Sequence, residues 1–309
     1  MNIEELINAP VQYYLNVKGK NIRNEICNFL GTLFSIEIED IESINNTINV
    51  IHNASLVIDD IEDNSFLRRS QDCAHIKYGI PISINSGYLS IFKVLHEFNK
   101  QENIDCEIKF KIVENLYYGH VGQGLDIYYT KEKIIPSLEE YNKMVEYKTG
   151  LMFISILDLI MSKTNNAIFK KRYNSILMAL NKLSCLFQSR DDFINITDPN
   201  YWKEKGFCED FDEQKISYII VMLNNNKLPN YKIINELLFK NSKSVEDKVN
   251  LLLLIHYSGV LDLVYDNLII LKSEILSIIN IEMIFDKIPF SKFNKDSIEI
   301  FFKKTFFSP

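Results

Sequence analysis

The sequence predicts an all-α protein, an antiparallel helical bundle around a central cavity, and three observations carry that expectation. Only 10 glycines and 7 prolines punctuate 309 residues. Apolar residues recur at i, i+3 and i+4 rather than in strict alternation, which is the mark of amphipathic helices. Hydrophobic residues make up 47% of the chain, enough to fill one large core, so a single domain over residues 1–309 is expected.

Taken in order, the periodicity predicts helices over 2–16, 21–35, 41–63, 83–100, 104–127, 137–162, 166–196, 213–224, 231–239, 245–257, 260–275 and 290–306. Breaks are expected where helix-stopping residues cluster: Lys18-Gly19, Gly79-Ile80-Pro81, Pro136, Asp198-Pro199-Asn200, Leu228-Pro229 and Pro289. Ser137 is placed to cap a helix, with Glu140 reaching back from N3. The greasiest run, Leu251 to Ile255, is far shorter than the ~20 residues of a membrane span.

Two short stretches carry the chemistry. The first, Asp59-Asp60-Ile61-Glu62-Asp63, sets three aspartates at D-D-x-x-D spacing and is followed by Arg68-Arg69. On a helix Asp59 and Asp63 share a face, and Asp60 is expected beside Asp63 at i, i+3. Such carboxylates repel one another unless a hard divalent cation takes their oxygens, and Mg²⁺ suits a few carboxylates plus substrate phosphates. The guanidinium forks that follow match phosphate oxygens. The second stretch, Gln188 to Asn195, repeats the spacing as Asp191-Asp192-x-x-Asn195 and is followed by Lys205 and Lys215. The two copies lie 132 positions apart, so each arrives on its own helix, and the helices are expected to face each other across the cavity.

The stretches His52 to Ser65, Gly122-Gln123-Gly124-Leu125-Asp126-Ile127-Tyr128 and Phe207-Cys208-Glu209-Asp210 resemble those of the trans-isoprenyl diphosphate synthases. Within them the chain is most similar to the eukaryotic geranylgeranyl diphosphate synthases, over about residues 19–210. The resemblance implies the isoprenoid synthase fold and a prenyltransferase that condenses isopentenyl diphosphate head-to-tail with dimethylallyl, geranyl or farnesyl diphosphate. It implies about three Mg²⁺ ions per site, held by Asp59, Asp63 and Asp191 with Asp60 and Asp192 close by.

By the same resemblance Lys20, Arg23, His52 and Arg69 hold isopentenyl diphosphate, and Arg68, Lys148, Gln188, Lys205 and Lys215 face the allylic substrate. Thr149 helps stabilise the carbocation, with Phe153, Phe187 and Tyr128 as candidate cavity aromatics. Ala54 and Ser55, five and four residues before Asp59, set product length. Both are small, so a C20 product is expected over C15. The sequence departs from the family pattern at Gln214, where glycine is usual, at Leu151, and at Ser217-Tyr218-Ile219 in place of Ser-Phe-Pro.

A net charge of −7 and the lack of a basic stripe argue against nucleic acid as a partner. Five scattered cysteines without a C-x-x-C pair fit a reduced, cytoplasmic setting. The acidic N-terminus, with no apolar run, does not read as a targeting peptide. No transmembrane segment is expected, and the resemblance implies a homodimer or larger homo-oligomer, with the helix near 104–127 at its interface. Terpene cyclisation is disfavoured because the isopentenyl set is intact. A non-catalytic subunit is disfavoured because both aspartate motifs are kept.

Overall fold

Helical periodicity runs through nearly all of this chain, and a computed structural model describes what it builds over residues 3–17, 19, 21–102, 104–164 and 167–294. The N-terminal stretch does not form one helix over 2–16 as expected. It forms α1 (Ile3–Ile7) and α2 (Ala9–Leu15), because Pro10 at the start of α2 has no N–H to continue the first. Then come α3 (Ile22–Leu33) and the long α4 (Ile38–Glu62). A two-stranded hairpin follows, β1 (Leu67–Arg68) antiparallel to β2 (Gln71–Asp72), which the helical periodicity gave no sign of. Arg69 and Ser70 turn it with positive φ values of 53° and 61°, the left-handed pair that a tight hairpin turn demands.

The middle of the chain is α5 (Ala74–Tyr78), α6 (Ile80–Lys100), α7 (Cys106–Glu132) and α8 (Leu138–Val145). Ser137 and Glu140 form the expected capping box at the start of α8. One π-helical turn, Glu146–Gly150, joins α8 to α9 (Leu151–Lys163), so the expected single helix over 137–162 is interrupted where Lys148 and Thr149 lie. Next are α10 (Ala167–Thr197), α11 (Pro199–Lys205), α12 (Glu209–Asp212) and α13 (Tyr218–Asn225). The last described elements are α14 (Tyr231–Leu238), α15 (Val245–Tyr257), α16 (Val260–Ile278) and α17 (Glu282–Phe285). Residues 289–294 are not helical, and the rest of the helix expected over 290–306 lies outside the described residues.

One apolar cluster runs from Ile22 on α3 to Ile288, with Phe34, Phe153, Leu186 and Phe193 almost fully buried. A smaller one packs Val11 and Tyr14 of α2 against Ala54, Val57 and Ile58 of α4. The greasy run is core: Leu251, Leu252 and Ile255 are fully buried. Among the described residues no single helix is long and apolar enough to cross a membrane, and α15 with α16 passes only as a pair bent by 66°.

Candidate active site

The first aspartate motif ends a helix. Asn64 follows α4 with φ 55°, and this lets the Ser65 N–H reach the Asp60 carbonyl at 3.0 Å and the Asn64 N–H reach the Ile61 carbonyl at 3.3 Å. That closure stops α4 at Asp63. Asp59 and Asp63 line a cavity of about 660 Å³, and so does Asp191 of α10.

The second aspartate of each motif turns the other way, which corrects the expectation that Asp60 and Asp192 stand beside the cavity carboxylates. Asp60 is fully buried and accepts from the Tyr14 hydroxyl and from Arg68, whose Nε lies 2.8 Å from Oδ1. Asp192 is 1% exposed and accepts from the Tyr141 hydroxyl at 2.7 Å, the Tyr218 N–H at 2.7 Å, Gln188 Nε2 at 3.0 Å and Lys215 Nζ at 3.1 Å. Burial raises the Asp192 carboxyl, but Lys215 and these donors outweigh it and hold it below the ordinary carboxylate range.

The hairpin sends its two arginines in opposite directions. Arg68 returns to Asp60, with Nη2 3.4 Å from Asp59. Arg69 donates to the Val17 carbonyl at 2.8 Å and the Tyr14 carbonyl at 3.3 Å, and its guanidinium lies against Gly19, where a Cβ would approach it to 2.9 Å. The basic groups expected to hold one substrate gather on that side. Arg23 Nη1 is 3.0 Å from His52 Nε2. Burial, then Arg23, pushes the His52 imidazole well below its usual range, so it is neutral. Arginine cannot accept, so Nε2 accepts here and the ring proton is on Nδ1. Arg23, itself lowered to about 10 by burial and by Arg69, leaves its buried Nε without a partner. Lys20 lies outside the described residues.

The π-turn carries Lys148 and Thr149 to the cavity. Lys148 Nζ is 2.6 Å from Asp126 and 3.6 Å from Asp59. The turn packs so closely on α7 that a Cβ on Gly122 would lie 2.3 Å from the Lys148 nitrogen, so only glycine fits there. Thr149 Oγ1 meets Gln188 Oε1 at 3.3 Å, and Phe187, Lys205 and Lys215 line the same cavity. Burial raises the Asp59 carboxyl, yet Lys148 and Arg68 outweigh it and hold it below its usual range. At Asp63 the balance is reversed: burial and the Asp59 charge outweigh Lys148 and Lys215 and push it up to about 7.

Two other expectations are corrected. Phe153 is fully buried, with the Arg23 guanidinium 5.8 Å from its ring centre, and Tyr128 is half exposed outside the cavity, so Phe187 alone of the three lines it. Ser55 lines the cavity but Ala54 does not. Ala54 faces Gly87 of α6, where a Cβ would come within 3.2 Å of the Ala54 carbonyl.

Several groups at the site were given no role by the sequence. Gln123 donates to Asp59 at 3.0 Å and Glu62 at 2.9 Å. Asp126 pairs with Lys148. Asp210, up to about 7, and Glu213, up to about 9, are both raised chiefly by burial and line the cavity near Lys215. Gln123, Asp126 and Asp210 fell inside stretches that carried the resemblance. Tyr14 and Tyr141 gave no local signal.

Among the described residues, no three His, Cys, Asp or Glu side chains converge as a ready-made metal cage. Mg²⁺ rarely needs one, since it takes one or two carboxylates and completes its shell with water and substrate phosphate. Donors divided between Asp59 and Asp63 on one helix and Asp191 on another fit an ion shared with a diphosphate. The raised Asp63 fits too, because two crowded carboxylates are relieved by a cation.

The family profile described as polyprenyl synthetase matches residues 4–255. The chain is 36% identical over 218 residues to a geranylgeranyl pyrophosphate synthase of Apiospora sacchari, covering 70% of this chain and 63% of that protein. It is 38% identical over 219 residues to another of Aspergillus versicolor, covering 71% and 56%. A bifunctional type I diterpene synthase of Aspergillus flavipes is 32% identical over 274 residues, 88% of this chain and 35% of that protein. The chain thus spans less than two thirds of the length of these relatives. With that match across most of its length, this chain belongs to the polyprenyl synthetase family.

Proposed function

We propose that this chain is a geranylgeranyl diphosphate synthase, a single-domain prenyltransferase that extends an allylic diphosphate with isopentenyl diphosphate to a C20 product. The observation that carries the reading is one cavity lined by Asp59, Asp63 and Asp191, by the cations Arg23 and Arg69 and Arg68, Lys148, Lys205 and Lys215, and by apolar side chains such as Ile51, Leu56, Ile91 and Leu116. Names of relatives that read geranylgeranyl pyrophosphate synthase support the product class.

Arg68, Lys148, Lys205 and Lys215 bind the allylic diphosphate, and Arg23, Arg69 and Lys20 bind that of isopentenyl diphosphate, with neutral His52 beside them. Asp59, Asp63 and Asp191 would hold Mg²⁺, which when bound would supply Lewis-acid stabilisation of the departing diphosphate. The C–O bond breaks with its electron pair going to the diphosphate. Arg68 and Lys148, already poised beside Asp59, meet that charge without reorganising. Thr149 and Phe187 flank the allylic cation and exclude water. The alkene of isopentenyl diphosphate supplies the pair for the new C–C bond, and the proton lost from its C2 passes to the released diphosphate. Small Ser55 leaves the tail room to descend.

The apolar stripe of Ile84, Tyr88 and Phe92 on α6 with Phe110, Val113 and Tyr117 on α7 is exposed and fits a second copy of the chain. The five free thiols suit a reducing cytoplasm.

Purified protein with farnesyl diphosphate, isopentenyl diphosphate and Mg²⁺ is expected to give C20 diphosphate by mass spectrometry, and only with both substrates. A cyclic hydrocarbon from one substrate alone points to cyclisation instead. No condensation with any allylic diphosphate overturns the proposal.

A further inference from the structure

Two polar side chains, Asn115 of α7 and Ser155 of α9, line the cavity together with apolar Ile91, Leu116 and Met152. Asn115 Nδ2 donates to Ser155 Oγ at 3.1 Å and to Asp158 Oδ2 at 3.2 Å. Ser155 Oγ donates to the Leu151 carbonyl at 2.8 Å, and the Tyr173 hydroxyl donates to Asp158 Oδ1 at 2.7 Å. Asp158 is 2% exposed. Asn115 lies eight residues before Gln123, which touches Asp59, so about 12 Å along α7 separate Asn115 from the residue that meets the first aspartate.

From this we infer that Asn115 and Ser155, held in place by Asp158 and Tyr173, are the stop that limits product length. The inference rests on the elongation chemistry proposed above. A growing hydrocarbon tail reaches an amide whose two N–H groups are both engaged. To pass, it must strip Asn115 from a buried carboxylate, and nothing in the tail replaces the lost hydrogen bonds. Apolar bulk at this depth discriminates less sharply, because a side chain such as Met152 repacks. Sites that leave buried polar groups unpaired reject a misfit far more strongly than sites that only crowd it. Asp158 and Tyr173 act as positioning residues, since neither lines the cavity.

The test reads the ratio of the product one isoprene unit longer than the main wild-type product to that main product, by mass spectrometry. Farnesyl and isopentenyl diphosphates are the substrates. Because it is a ratio, it is independent of overall turnover. Asn115→Ala is expected to raise it about tenfold or more. Asn115→Leu keeps comparable bulk without the hydrogen bonds and is expected to raise it as well. Tyr173→Phe removes one oxygen outside the cavity, keeps the fold, and is expected to move the ratio in the same direction by less. If Asn115→Leu holds wild-type length while Asn115→Ala lengthens it, bulk is the stop and the polar network is not. An unchanged ratio in Tyr173→Phe and both Asn115 variants overturns the inference while leaving the synthase reading intact. If wild type condenses no substrate pair, the synthase reading fails and takes this inference with it.

Discussion

The two aspartate motifs share their spacing and half of their architecture. In each, the first aspartate lines the cavity and the second is buried under a tyrosine hydroxyl and a cation. Tyr14 and Arg68 hold Asp60, and Tyr141 and Lys215 hold Asp192. They part at the third member. Asp63 closes α4 and lines the cavity, whereas Asn195, in the last turn of α10, is 2% exposed and accepts the Asp210 N–H at 3.3 Å. A D-D-x-x-[D/N] pattern therefore fixes only the angular positions of its members around a helix. Which of them meets substrate depends on what packs against the helix.

The strongest way to break this pairing is to remove a second aspartate. Asp60→Ala leaves the buried Arg68 guanidinium without its main partner and is expected to cost about 3–5 kcal/mol in urea unfolding. Asp192→Ala is expected to cost a comparable amount: Lys215 is more exposed, at 22% against 13% for Arg68, and keeps Asp210 at 3.8 Å, but the Tyr141 hydroxyl and the Tyr218 N–H lose their acceptor. Wild-type stability in both variants would mean that these carboxylates are not structural.

The first aspartates should behave in the opposite manner. Asp59→Ala is expected to lower kcat by about 100- to 1000-fold with helical circular dichroism unchanged, since it removes stabilisation of the departing diphosphate. Near-normal turnover would rule the metal-template reading out.

The third members differ in titration. An unfolded aspartate ionises near ~3.9, whereas folded Asp63 does so at about 7. Between these values the folded protein holds a proton that the unfolded chain has lost. Asp63 therefore contributes stability that is fully present below ~3.9 and disappears as pH rises through about 7, with a slope of at most ~1.4 kcal/mol per pH unit. Asp63→Asn makes the first motif match the second and is expected to flatten the fall of metal-free stability between pH 4 and 7. Asp210, also at about 7, keeps its own part. Unfolding midpoints at several pH values measure this, and an unaltered slope in the variant would refute the assignment.

The smallest effect concerns the loop that delivers Lys215 to Asp192. Gln214 stands there with φ 57°, at a position where the family resemblance leads one to expect glycine. Gln214→Gly is expected to stabilise by about 0.5–1 kcal/mol, the left-handed strain relieved less the added chain entropy. A loss of stability would show that the Gln214 side chain does more than occupy the turn.

Much of the fold was legible in the residues because its signals are local. Helical periodicity, the Ser137–Glu140 cap and the halt of α4 after Asp63 are all decided within a turn or two of chain. The Arg68–Arg69 hairpin was not legible, since a two-residue strand carries no period. The π-turn was missed as well, because it depends on how closely Gly122 lets α7 approach Lys148. Of the two residues expected to set product length, Ala54 does not line the cavity, and this too depends on packing between helices, where the Ala54 carbonyl closes on Gly87 of α6.

Most of the helices, and two sets of carboxylates with several cations at spacings suited to diphosphate chemistry, can be read from the residues alone. Which of those carboxylates is free to act is set by how the helices pack. Tyr14 meets Asp60 across 46 positions and Tyr141 meets Asp192 across 51. Helical spacing relates residues three or four apart, so it cannot express a hydrogen bond between helices. That bond exists only once the buried faces have packed and an unpaired carboxylate beneath them has become too costly to leave unmet.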